Sequence, residues 1–163
     1  MRGFRMGGAG GKEKENYIYK NGDLKVPFSN YSYKASFQGS SQTGKVGSLT
    51  NTNNRLRFTL PQTALNQLNV TSFFSDPIDF TNINSITINI TASSYSDNRC
   101  FMGFVDNVVN NYTLNSYKGI GKVGIHTVDT TGITGVHRLA INMDSYYSTA
   151  VNAYIETDAI TLN

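Results

Sequence analysis

The stretch from Asp76 to Thr91, DPIDFTNINSITINIT, decides the fold. It opens on a proline-led turn, bends at Asn82 and Asn84, and then alternates Ile86, Ile88 and Ile90 with Thr87, Asn89 and Thr91. A period of two sends successive side chains to opposite faces of a strand, so the isoleucines face a core and the threonines and asparagine face outward. Asp76 and Pro77 end the strand before it.

The same pattern extends in both directions. NYIYKNGDLKV (16–26) reads as a hairpin turning at Asn21-Gly22, the strongest short-range hairpin signal. RLRFTL (55–60) puts Leu56, Phe58 and Leu60 on one face, and LNVTSFF (68–74), RCFMGFV (99–105), GKVGIHTV (121–128), HRLAINM (137–143), VNAYIE (151–156) and AITLN (159–163) read as further short strands. Residues 39–54 read as a loop, and PQTALNQLN (61–69) offers at most a helical turn or two. About nine short strands, with turns every eight to twelve residues and no long helical period, predict an all-β, antiparallel two-sheet β-sandwich, jelly-roll-like.

Composition agrees with one folded domain. The chain has 163 residues, 39% apolar and only 15% charged, so Asn, Thr and Ser supply most of its polarity. Ten Tyr and nine Phe with a net charge of +3 exclude a disordered chain. Cys100 is the one cysteine and sits in RCFMGF, where it reads as a small core residue. No apolar run approaches the roughly 20 residues needed to span a bilayer, and no secretory h-region is visible, so a soluble product made in the cytoplasm is expected.

The basic pI comes largely from the first fifteen residues, where Arg2, Arg5, Lys12 and Lys14 face only Glu13 and Glu15. The body has no convergent Lys/Arg cluster, which argues against nucleic acid as a partner. Residues 1–15 also hold Gly3, Gly7, Gly8, Gly10 and Gly11, a segment too permissive to fold alone. They read as an extended anchoring arm ahead of a sandwich domain over 16–163. Arg2 and Arg5 flanking the aromatic Phe4 are the candidate docking residues, two charge-assisted donors beside an apolar anchor.

Other motifs carry little chemistry. GIGKVG (119–124) matches a dinucleotide fingerprint in letters but lacks the strand before it and the helix after it, so it reads as a glycine-rich turn. His126 and His137 have no metal-ligand spacing around them and read as surface strand positions, and no serine stands in a nucleophile elbow. No cofactor and no enzyme activity are expected. Asp76 with Asp79 is a weak candidate for Ca²⁺, since aspartate is commoner as a turn starter. Tyrosine can stack on a sugar while its hydroxyl hydrogen-bonds, so Tyr112 in NNYTLNSY, a polar loop that also holds Tyr117, and Asp144, Tyr146 and Tyr147 in MDSYYS are the glycan-binding candidates.

Three segments, YIYKNGD, DPIDFTNINSITINIT and HRLAINMDSYYSTAVNAYIETDAITLN, resemble a carbohydrate-binding-like β-sandwich module of phage and prophage virion structural proteins from low-GC Gram-positive hosts. Tyr17, Tyr19, Asn21 and Gly22 match its leading hairpin; Ile78, Asp79, Phe80 and Thr81 its corner; Ile160 and Leu162 its closing strand. The chain departs from it in having Asp23-Leu24 after the hairpin and no tryptophan. The resemblance implies a non-enzymatic virion decoration or accessory protein, docked on capsid or tail proteins through its arm and present in multiple copies or as a homo-oligomer. The alternative it implies is a tail or fibre adhesin for host cell-wall glycans.

Overall fold

A computed structural model describes residues 16–33, 47–60, 70–96, 99–106, 114–144 and 153–163. Thirteen strands and no helix occur among them: β1 (Tyr17–Lys20), β2 (Asp23–Leu24), β3 (Phe28–Tyr33), β4 (Ser48–Thr52), β5 (Arg55–Leu60), β6 (Val70–Ser75), β7 (Ile78–Asp79), β8 (Ser85–Ser93), β9 (Cys100–Asp106), β10 (Asn115–Gly119), β11 (Gly124–Asp129), β12 (Val136–Asp144) and β13 (Ala153–Leu162). Every pairing is antiparallel. One sheet has seven strands, running β11-β8-β13-β1-β2 with β5 and β4 alongside β13; the other has six, running β10-β9-β12-β6-β3 with β7 beside the start of β12.

The isoleucines of the central stretch behave as their alternation requires. Ile86, Ile88 and Ile90 are buried, while Thr87, Asn89 and Thr91 face out. Leu56, Phe58 and Leu60 join them from β5, and Phe73, Met102, Phe104, Leu139, Ile141 and Met143 meet them from the other sheet. The Phe58 ring sits edge-on to Phe73 at 5.1 Å and to Phe28 at 5.4 Å, the favoured aromatic geometry, and so stitches one sheet to the other. Cys100 is wholly buried in this core.

Two turns are set by backbone chirality. Asn21 and Gly22 take φ of 47° and 93°, and Asn53 and Asn54 take 51° and 58°, the positive φ pair that lets a two-residue turn follow the twist of its strands. The two hairpins meet tip to tip beside β13: Asn51 Nδ2 donates to the Gly22 carbonyl at 2.8 Å, and the Tyr19 hydroxyl donates to Asn51 Oδ1 at 2.9 Å. GIGKVG is indeed a turn, linking β10 in one sheet to β11 in the other.

Several expectations need correction. Strands outnumber the nine expected because β3, β7 and β10 form where no separate strand was read and the loop read over 39–54 contains β4, an edge strand with largely polar side chains. Tyr117 belongs to the edge strand β10, not to a polar loop. The segments read as separate strands at 151–156 and 159–163 share one continuous strand, β13, kinked by register shifts around Thr157 and Ala159 that move its outer edge from β5 to β1. His137 is no surface residue: its ring lies 5.4 Å from both Phe80 and Phe104, because β12 begins where β7 and β9 close over it. The helical turns considered for 61–69 lie outside the described residues.

Candidate functional site

The two outer faces of the sandwich differ. On the six-stranded sheet, Phe74, Val105 and Ala140 point away from the main core yet are fully buried, with Leu114 packed on them. That patch is apolar and buried, while Arg138 and Asn142 on the same face are half-buried and bond to the Ser75 carbonyl and the Ser72 hydroxyl. The outer face of the seven-stranded sheet is open and polar.

Its ionic part comes from two strands read at the same period. Arg55 and Arg57 alternate with the inward Leu56 and Phe58 on β5; Tyr154, Glu156 and Asp158 alternate with inward residues on β13, at steps of about 7 Å per two residues. Register sets Arg57 opposite Glu156, with Nη1 to Oε1 at 3.1 Å, and Arg55 reaches Asp158 Oδ2 at 3.3 Å. The Arg57 guanidinium also lies 3.8 Å from the centre of the Tyr154 ring. Asn89 of β8 donates to the other Asp158 oxygen at 2.8 Å. Both oxygens of Asp158 therefore have a partner.

The rest of the face is hydroxyl and amide. The Thr87 and Thr127 hydroxyls lie 3.1 Å apart across β8 and β11, and Asn163 donates to Thr87 at 3.1 Å and to Ser85 at 3.3 Å. At the far side Tyr17 donates to Asp23 at 2.7 Å, and Lys25 reaches the same carboxylate at 3.0 Å. The Tyr17 hydroxyl first, then Lys25, holds the Asp23 carboxyl below its ordinary value. Asp129, at the end of β11, is likewise held down by the Thr131 backbone N–H, 2.9 Å away.

The residues singled out from sequence fall elsewhere. Arg2, Phe4, Arg5, Tyr112, Tyr146 and Tyr147 lie outside the described residues, and Asp144 is described only as the last backbone position of β12, opposite Val70. The segments carrying the tyrosines leave the sheet at opposite ends. Residues 107–113 follow Asp106, which pairs with His137, whereas 145–152 follow Asp144, about 23 Å further along β12 at the rise of an antiparallel strand. Asp79 Oδ1 accepts from Thr81 N at 3.0 Å and from its hydroxyl at 2.6 Å, the turn-starting role, and Asp76 is exposed beyond β6. Among the described residues no group of three or more His, Cys, Asp or Glu could hold a metal ion. Arg55, Arg57, Asn89, Tyr154, Glu156 and Asp158 were missed in sequence; the signal was there, since R-x-R in RLRFTL and E-x-D in YIETD share one period and opposite sign.

The fold is an antiparallel β-sandwich whose seven-stranded sheet carries a largely polar outer face and whose six-stranded sheet buries an apolar patch on its own. No protein-family model and no curated protein matches the chain. Among solved structures it is similar to a low affinity xylan binding module, CBM86, from the xylanolytic gut symbiont Roseburia intestinalis, at 8% identity and a TM-score of 0.48, covering 84% of this chain and 95% of that one. A likeness at that level carries no weight for function, which rests on the chain's own side chains.

Proposed function

We propose that the chain is a non-enzymatic recognition module whose open polar face binds a neutral glycan. The observation that carries this reading lies among the described residues: β8 and β11 set Thr87, Asn89, Thr91 and Thr127 together on one outer face around the exposed Ile125, whereas the other outer face buries Phe74, Val105 and Ala140. Thr87, Asn89, Thr91 and Thr127 offer both donors and acceptors, which suits sugar hydroxyls. The ionic groups beside them are matched in pairs, Arg55 with Asp158 and Arg57 with Glu156, so a charged ligand gains no unpaired partner there.

Affinity electrophoresis against neutral and anionic wall polysaccharides tests it. Retardation by neutral polymers, weakened in Thr87→Ala/Thr127→Ala, is expected; retardation only by anionic polymers contradicts it. The same assay on Tyr146→Ala and Tyr147→Ala asks whether the β12–β13 connection adds to the site.

The finer half of the proposal concerns attachment. The resemblance to phage virion modules, with the basic, Gly-rich composition of residues 1–15, supports a particle protein docked through Arg2, Phe4 and Arg5. Deleting residues 1–15 should leave a folded sandwich that no longer joins the particle. Full incorporation of the truncated chain refutes the arm.

A further inference from the structure

We propose that the chain self-associates edge to edge through β11, a second copy adding its own β11 antiparallel across a two-fold axis. Sheet edges expose main-chain donors and acceptors, and proteins ordinarily blunt them with short strands, prolines, lysines or bulges. Most described edges here carry such a device. β2 has two residues and is followed by Lys25, β3 follows Pro27, and β10 is broken by a register shift with Ser116 at φ 40°. β4 presents mainly Ser48, Thr50, Asn51 and Thr52.

β11 carries its only such devices at its start, the exposed Lys122 ahead of it and Gly124 at φ 135°. It pairs with β8 over six consecutive residues without a shift, and contains neither proline nor lysine. Ile125 on its outer face is 72% exposed and Val123, just before it, 65% exposed.

A second copy fits this edge better than an arbitrary strand does. A two-fold axis perpendicular to the sheet keeps outer face beside outer face, so each outward residue must oppose another outward residue. Centring the pair on Ile125 sets Ile125 against its own copy, covering that exposed apolar side chain, and brings Thr127 level with the bend of the second copy that holds Val123. Antiparallel direction also brings the exposed Asp129 of one copy beside the exposed Lys122 of the other, whereas a parallel pair would set like charges together. This association borders the polar face and shares Thr127 with it; Ile125→Lys leaves Thr127 in place, so loss of dimer with glycan retardation retained separates the two readings.

One strand pair buries less than a standard interface, so the association is weak. Sedimentation velocity of the full chain from about 10 µM to about 1 mM should show the average mass climbing from monomer toward dimer, a range matching weak affinities. Ile125→Lys, at an exposed position, should stay monomeric with unchanged thermal unfolding. Register is read by cysteine: oxidised Ile125→Cys should form a disulfide-linked dimer, since opposed residues lie about 4.5–5.5 Å apart in Cα, within disulfide reach. Thr127→Cys should not, since it lies roughly 13 Å from its own copy in this register. A monomeric mass across the whole range, association unaffected by Ile125→Lys, or equal cross-linking of the two cysteine variants overturns the proposal. So does an extended peptide that perturbs β11 in a chain that never dimerises.

Discussion

Thr157→Val should destabilise the sandwich far more than its shape suggests. Thr157 is fully buried at the point where β13 exchanges β5 for β1 as its neighbour. Its hydroxyl accepts the Ala159 N–H at 3.2 Å and lies 2.7 Å from the Asn89 carbonyl and 2.9 Å from that of Ala159, so it mends the ladder at the register shift. Valine keeps the volume, which leaves no cavity term. It strands a half-buried N–H and a carbonyl, each worth about 1–3 kcal/mol when unsatisfied and buried, so the expected loss is about 2–4 kcal/mol. Urea unfolding should show a lower midpoint at unchanged m, and thermal unfolding a fall of roughly 5–15 °C for a domain of this size. Thr157→Ser, which keeps the hydroxyl and loses a methyl group, should cost only about 1 kcal/mol. If the valine variant lies within about 0.5 kcal/mol of the parent, the margin ordinary for harmless substitutions, the hydroxyl does not hold the kink.

Two further outcomes follow from the hairpins and the carboxylates. Gly22→Ala should cost about 1–2 kcal/mol from its left-handed φ alone. Its added Cβ would also meet Asn54 Oδ1 at 2.7 Å, so chemical unfolding should report at least that loss and amide exchange should quicken in both hairpins; a neutral variant would mean the tips do not touch. Asp23 and Asp129 are held below the ordinary carboxylate value by hydrogen bonds that exist only in the folded chain. Their stabilisation is therefore present above the unfolded value and is lost as pH falls through the lower folded midpoints. Carboxyl carbon NMR against pH should find both midpoints displaced downward, and ordinary midpoints would contradict the bonds from Tyr17 and Thr131.

The fold was largely legible because a period of two reports burial directly when one face is a core and the other is water. Ile86, Ile88 and Ile90, and Leu56, Phe58 and Leu60, needed no tertiary information. Asn21-Gly22 was equally legible, since few dipeptides tolerate its φ pair. β4 and β10 were not, because edge strands bury little and their Ser, Thr and Asn side chains resemble loop composition. The continuity of β13 was hidden because Thr157 and Ala159 break the alternation without breaking the strand. His137 was misread because burial there comes from Phe80 and Phe104, distant in sequence. The open face was hardest to foresee. A polar alternation marks an outer face but cannot say which of two outer faces stays uncovered; on the other sheet Phe74 and Val105 interrupt the polar pattern, but what closes over them is a matter of tertiary packing. Nor does it show that Arg55 and Arg57 stand opposite Asp158 and Glu156, since that register spans about a hundred residues of chain.

The claim that the open polar face is the working surface is tested most directly by NMR chemical-shift mapping of the full chain with a neutral wall polysaccharide at millimolar saccharide. Perturbations should concentrate on Thr87, Asn89, Thr127, Tyr154 and their neighbours on β8, β11 and β13, and should spare Phe74, Val105 and Ala140. Perturbations confined to the six-stranded sheet, or none with neutral and anionic polymers alike, would contradict it.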